Sequence, residues 1–405
     1  MDTYGSTKQK KLRWGYTTGT CAAAASLAAA AMLLSGERRE QVFLLTPKGI
    51  RLHLDIEEIR QKKEMVSCAV RKDGGDDPDV TDGLLVYSTV KVGDVSKNKG
   101  DFCRETGDFE YKTEAFSLIL KGGVGIGRVT KPGLSCKVGE AAINPVPRRM
   151  IFEQVAAVCR EKGFQGKLSI EISVPDGREA AERTFNPKLG IVGGISILGT
   201  SGIVEPMSEA ALIETIRLEL RQKHLSGMDR LMVTPGNYGE AFLSRHLGLD
   251  LEQAVKCSNY IGAALDMAAQ EGIKEILLIG HGGKLIKIAG GIMNTHSSVA
   301  DGRMEILGAH ASVCGAEGPL VEQVLDAVTV DQGLALLETV PGLRERTMDR
   351  IMERIGRSLR RRAGDSLKVE ALVFTNERGV LGQTPGAEEM MKGFRRRSIS
   401  GSEQE

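Results

Sequence analysis

Glu275-Ile276-Leu277-Leu278-Ile279-Gly280-His281-Gly282-Gly283-Lys284 reads as a buried strand delivered straight into a glycine-lined turn. A short, nearly continuous apolar run bounded by glycine suits a strand covered on both faces, as in a parallel sheet. The same rhythm is read upstream, with strands at 194–198, 230–234 and 254–257 and helices at 208–223, 238–247 and 260–271. Such alternation, beginning near Gly190, predicts a doubly wound sheet whose ligands sit where strands end and helices begin. Helical spacing then covers 303–362, and 367–375 reads as a late strand.

Each junction in this half carries glycine or small polar residues: Gly199-Thr200-Ser201-Gly202, Pro235-Gly236-Asn237-Tyr238-Gly239, Ser258-Asn259 and Gly280 to Lys284. On one sheet edge, four such turns would line a crevice for an adenosine-like ligand. The plain alternative is that such turns use glycine whatever they hold. No standard nucleotide fingerprint is present. Leu278 stands where a P-loop needs its first glycine and Leu285 where it needs serine or threonine, while 122–127 ends on Arg128 instead of the last glycine of GxGxxG.

The first half has another pattern. Strands are read at 41–45, 50–56, 64–72, 84–92, 115–120 and 168–174, with helices after Thr20 and over 148–162. Runs of strands with few helices predict α+β layers. The expected fold is therefore two-domain α/β: a flexible basic start at 1–12, an α+β layered domain at 13–188, a Rossmann-like α/β domain with a mostly parallel sheet at 189–385, and a partly disordered tail at 386–405. Gly15-Tyr16-Thr17-Thr18-Gly19-Thr20-Cys21 runs directly into an alanine-rich helix, with Thr18 or Thr20 as its cap and free N–H groups that favour an anion.

With 54 basic and 53 acidic side chains, global charge argues for neither nucleic acid nor a membrane surface. Seven scattered cysteines without a CxxC pair suit a reducing cytoplasm and supply no zinc site, and no metal site is expected elsewhere. Lysines before the alanine run imitate a signal peptide, but the intervening polar loop and the helix end at Ser35-Gly36 speak against export. The acidic loop 73–83 fails the EF-hand spacing; it is a solvated turn or a carboxylate cluster using Asp77 and Asp79. Among the histidines, His281 is placed like a catalytic residue and His296 comes next.

Arg13 to Ala25 resembles the amino-terminal signature of the cobalt-precorrin-5B C1-methyltransferases of anaerobic cobalamin biosynthesis. The likeness continues through Lys72-Asp73-Gly74-Gly75-Asp76-Asp77-Pro78-Asp79-Val80-Thr81, Gly122-Gly123-Val124-Gly125, Ile143-Asn144-Pro145-Val146-Pro147-Arg148, Asn186-Pro187-Lys188-Leu189-Gly190-Ile191, Gly194 to Gly202 and Gly280 to Lys284. It implies methyl transfer from S-adenosyl-L-methionine to C1 of a tetrapyrrole whose cobalt comes with the substrate. The donor would occupy the second-domain crevice, with Glu205 facing its ribose. Thr17, Thr18, Thr20, Asp77, Asp79, Arg128, Arg148 and Lys284 would meet the macrocycle. Contact with neighbouring pathway enzymes stays open, as does the oligomeric state. The rival readings are a small-molecule kinase cradling ATP phosphates in the Gly/Thr loop and a non-catalytic tetrapyrrole carrier.

Overall fold

The computed structural model describes residues 12–93, 108–236, 242, 249 and 251–394. The expected helix at 238–247, Asn237, Gly239, Cys103, most of the basic start and the arginine-rich tail lie outside these residues. The chain forms two compact units, Met1–Ser208 and Glu209–Glu405. Residues 189–208, read from sequence as the start of the second domain, thus belong with the first.

In the first unit, β1 (Gly15–Tyr16) leads into α1 (Thr18–Ser35), followed by a hairpin of β2 (Gln41–Leu45) and β3 (Arg51–Asp55). Then come β4 (Glu57–Lys62), β5 (Met65–Arg71), β6 (Leu85–Gly93), β7 (Phe109–Lys112), β8 (Phe116–Gly122), β9 (Arg128–Val129), α2 (Pro145–Glu161) and β10 (Gly166–Ser173). The main sheet has the order β4-β5-β6-β10-β8-β7, antiparallel except where β10 meets β8. Leu168, Ile170 and Ile172 of β10 are fully buried, each stabilising the core by about 1.5–3 kcal/mol. Helix α1 is buried on nearly every side, not along one face as its spacing suggests, because alanine lets neighbours close in all round. It is the one helix among the described residues long and apolar enough to cross a membrane, and it lies inside this core. Its buried Ser26 hydroxyl is satisfied by Ala22 O at 2.7 Å and by Ser88 at 2.8 Å.

The unit closes with α3 (Gly177–Glu182), β11 (Ile191–Val192), which pairs with β9, and β12 (Ile203–Val204), which pairs with β1. Residues 194–198 are not a strand of the parallel sheet. They make isolated bridges, Ile126 to Ile195 and Ile143 to Ile197, and the Ile195 and Ile197 side chains fill the first core. The reading took an apolar run after glycine for a strand of the second half, and tertiary packing decided otherwise.

The second unit starts with α4 (Glu209–Leu225) and contains β13 (Arg230–Thr234), β14 (Ala254–Lys256), β15 (Glu275–His281), β16 (Lys368–Thr375) and β17 (Gly379–Gln383). The sheet order is β14-β13-β15-β16-β17; the first three pairings are parallel and the last antiparallel. Leu231, Val233, Ile276 and Leu278 point into a core shared with helices Ile261–Glu271 and Leu343–Ala363. Met232, Leu277, Ile279 and Phe374 face the opposite side with Phe242, Met390 and Phe394. Burial on both faces explains why these strands read as apolar runs. The chain leaves β13 for β14 on one side and β15 for β16 on the other, so the topological switch point lies between β13 and β15.

Candidate functional site

The opening motif, buried from Thr17 to Cys21, is tied to the partly exposed 198–202 turn in one cluster within the first unit. Thr17, neither Thr18 nor Thr20, is the N-cap of α1, its hydroxyl accepting from Thr20 N at 3.2 Å. Thr17 N and the Thr20 hydroxyl donate to Gly202 O at 3.1 and 2.7 Å, Gly19 N donates to Leu198 O at 2.9 Å, and the Thr18 hydroxyl accepts from Leu198 N at 3.0 Å. Thr17, Thr18 and Thr20 are no more than 5% exposed. The expected anion at this helix start is therefore displaced by the protein's own carbonyls. A Cβ on Gly199 would enter the Thr17 side chain, and one on Gly19 would come within 2.6 Å of Pro147.

The acidic loop is a clasp on the same cluster. Tyr16 N donates to Asp73 O at 2.8 Å, and Arg13 clamps Asp73 through its guanidinium and Asp76 through its backbone N–H at 2.7 Å. Asp77 accepts from Met207 N at 2.9 Å, Asp79 from Lys72 at 2.6 Å, and Asp82 from Gly74 N at 2.7 Å. Burial works against the Asp79 carboxylate, but Lys72 and Thr81 outweigh it and hold its pKa below the usual value. Gly75, at φ +69° with Arg13 O only 2.2 Å from where a Cβ would stand, admits only glycine. Asp77 and Asp79 are thus occupied within the fold, and Glu205 pairs with Lys48, whose ammonium lies 4.2 Å above the Trp14 ring.

The carboxyl ends of β13 and β15 offer a different environment. Lys284, two residues into the helix Gly282–Ala289, reaches back across the switch point to Pro235 O at 2.5 Å. The next residue, Gly236, has φ +137° and, among the described residues, only the Lys284 ammonium, at 3.6 Å, near the place of a Cβ. Thr234, closing β13, is fully buried, and its hydroxyl has no hydrogen-bond partner among the described residues. Ser258, after β14, holds φ +53°, a strained conformation for a residue with a side chain. Burial lowers the Lys284 pKa, with Cys257 opposing, and pushes the Cys257 thiol up to about 12. Lys287, 2% exposed, pins the following loop through Ala300 O at 2.7 Å and Thr295 O at 3.2 Å; Thr295 N in turn donates to Asn259 O at 3.0 Å.

Residues 5–206 match the family model described as CbiD, and residues 294–385 match the one described as CbiD, C-terminal domain. A relative from Ruminiclostridium cellulolyticum is 48% identical over 397 residues, spanning 97% of this chain and 98% of its own. The chain belongs to the CbiD family. That relative carries the name Cobalt-precorrin-5B C(1)-methyltransferase, as does one from Thermoanaerobacter sp. strain X514 that is 42% identical, with 94% of this chain and 98% of the relative covered. A crystal structure of cobalamin biosynthesis protein (cbiD) from Archaeoglobus fulgidus is 30% identical, covers 69% of this chain and 80% of its own, and has a TM-score of 0.35.

Within this CbiD-family chain the predicted site residues separate into two groups. Gly199, Thr200, Ser201, Gly202 and Glu205 lie in the first unit and not on the edge of the parallel sheet, which corrects the four-turn crevice. Gly236, Ser258, Asn259 and Lys284 do follow strands of that sheet, and His281 ends one. His281 caps its helix, Nδ1 accepting from Gly283 N at 3.1 Å; burial lowers its pKa and Asp331 opposes. With that lone pair engaged, the neutral ring carries its proton on Nε2, so His281 is a helix cap and a poor catalytic base. His296 is exposed and bonded to Ser298 at 2.6 Å. Arg128 donates to Gly139 O at 3.1 Å, and Arg148 lies 4.0 Å over the Phe109 ring with its buried Nε unpartnered. Sequence reasoning missed Thr234 and Lys287. The first ended a strand that was recognised, and the second carried no signal beyond its place in an apolar helix.

Proposed function

We propose that this chain transfers the methyl group of S-adenosyl-L-methionine to C1 of cobalt-precorrin-5B, giving cobalt-precorrin-6A in anaerobic cobalamin biosynthesis. The observation that carries the reaction is the shared name of relatives aligned over nearly the whole chain. The second unit is Rossmann-like in this reading and takes the donor between β13 and β15, the switch point where open α/β sheets bind ligands. The residues there fit a charged amino-acid and nucleoside ligand: Lys284 for a carboxylate, the unpartnered Thr234 hydroxyl for a polar group, and Gly236 for close backbone approach. The first unit, with Arg128 and Arg148 on it, is the side for the macrocycle and its carboxylate arms.

Methyl transfer from a sulfonium is an in-line displacement. The ring carbon supplies the electron pair, the S–C bond pair returns to sulfur as a neutral thioether, and one proton leaves the macrocycle. The protein's work is alignment, exclusion of water and electrostatics, so no nucleophilic side chain is needed. Incubating the protein with cobalt-precorrin-5B and the methyl donor should yield a macrocycle heavier by one methyl in mass spectrometry. Binding of both without mass gain would leave the carrier reading. The kinase reading loses its support, because the Thr17–Thr20 donors are bound to Gly202 and Leu198.

A further inference from the structure

The helix Leu343–Ala363 buries Leu343, Met348, Ile351, Ile355 and Leu359 against the second core and turns a line of arginines outward. Arg346, Arg350, Arg354, Arg357 and Arg361 fall within an arc of roughly 80° and along about 22 Å of axis at helical geometry. All are exposed except half-buried Arg350. Among the described residues, Arg350, Arg354 and Arg361 have no ion pair, and the Arg350 Nε is buried without an acceptor. Arg357 pairs with Glu353 at 2.8 Å where both are 61% exposed, a contact of little worth. From the neighbouring helix Arg303–Val313 the group that faces these arginines is His310, whose pKa is lowered by burial and then by the charges of Arg350 and Arg354. Like charges four residues apart destabilise a helix, so the stripe works against its own fold unless an anion meets it.

We propose that this stripe docks an acidic helical segment of a partner protein. Carboxylates at four-residue spacing on such a helix repeat at the same rise as the arginines, so the two rows can pair in register. At the amino end of the stripe the Cys314 thiol contacts Arg346 O at 3.4 Å, which sets the 64% exposed Val313 beside the first turn, and Val340 is exposed just before it. Arginine bordered by apolar side chains is the composition of protein interfaces. A broad polyphosphate would instead meet the exposed Asp349 and Glu353 along the stripe's flank.

The test titrates the full chain with a fluorescein-labelled, alanine-based helical peptide carrying glutamates at four-residue spacing, at low salt, beside duplex DNA and phosphatidylglycerol vesicles. The peptide is expected to bind, and R350Q/R354Q/R361Q to weaken it about tenfold. R354Q alone, which leaves half-buried Arg350 in place, should lose a smaller part in the same direction. Undiminished peptide binding in the triple variant overturns the proposal. Tighter, variant-sensitive binding of DNA or vesicles overturns it too, in favour of phosphate. If the macrocycle KM rises in the triple variant while peptide binding does not change, the stripe is a substrate surface and the proposal fails.

Discussion

Two clusters of glycine and hydroxyl residues, alike on paper, have opposite chemistry in the fold. Around Thr17 to Thr20 each hydroxyl and several backbone donors find partners within the same unit, and the three threonines are sealed from solvent. At the ends of β13, β14 and β15 a threonine hydroxyl lacks a partner among the described residues, an ammonium spans two loops and a serine sits at positive φ. Polar groups that satisfy each other are accounted for by the fold alone; a buried group left without a partner calls for something more, whether water, strain or a ligand.

The sharpest way to break that contrast is Gly199→Val. The added side chain meets Thr17 at a backbone φ of +128°, so unfolding should become easier by about 3 kcal/mol or more, with a corresponding fall in soluble yield. Denaturant melts of the variant measure this. A stable Gly199→Val protein with weakened donor binding would return the 199–202 turn to the donor site. Lys284→Met tests the other half. Donor affinity by calorimetry should fall by roughly tenfold to a hundredfold, the worth of a charge-assisted hydrogen bond, while the melting temperature holds. Equal donor affinity in wild type and variant would move the carboxylate elsewhere.

Much of this was legible beforehand, for reasons that differ between elements. The runs at 230–234 and 275–279 announced parallel strands because both of their faces are buried, and Lys284 and Gly236 followed from the turns after them. The strands β4, β7 and β17 were silent: β4 reads Glu-Glu-Ile-Arg-Gln-Lys, and an edge strand needs only partner hydrogen bonds and a little apolar area. The boundary slipped to 188 because Ile195 and Ile197 resemble a core strand wherever the core is. Asp77 and Asp79 seemed available because sequence displays carboxylates but not their partners, Met207 N and Lys72, one of which lies 130 positions away. The unpartnered Thr234 hydroxyl had no signal at all, since an absent hydrogen bond is a property of the packed state.

His281 offers the smallest effect and the finest discrimination. Asparagine is a good helix cap, so His281→Asn keeps the bond to Gly283 N and removes only the titration. With a folded pKa below 6.5, the neutral ring contributes stability that is fully present above pH 6.5 and lost as the pH falls through the lowered folded value. His310 is lowered as well and acts in the same direction, but it stays in both proteins and cancels from their difference. Denaturant melts at neutral and mildly acid pH should therefore show wild type losing slightly more than the variant. The kcat for methyl transfer should change less than about threefold, whereas removing a general base costs about a hundredfold or more. A loss of that size, with the acid-side melts as expected, would make the cap a base as well and place proton removal at the same strand ends as the donor.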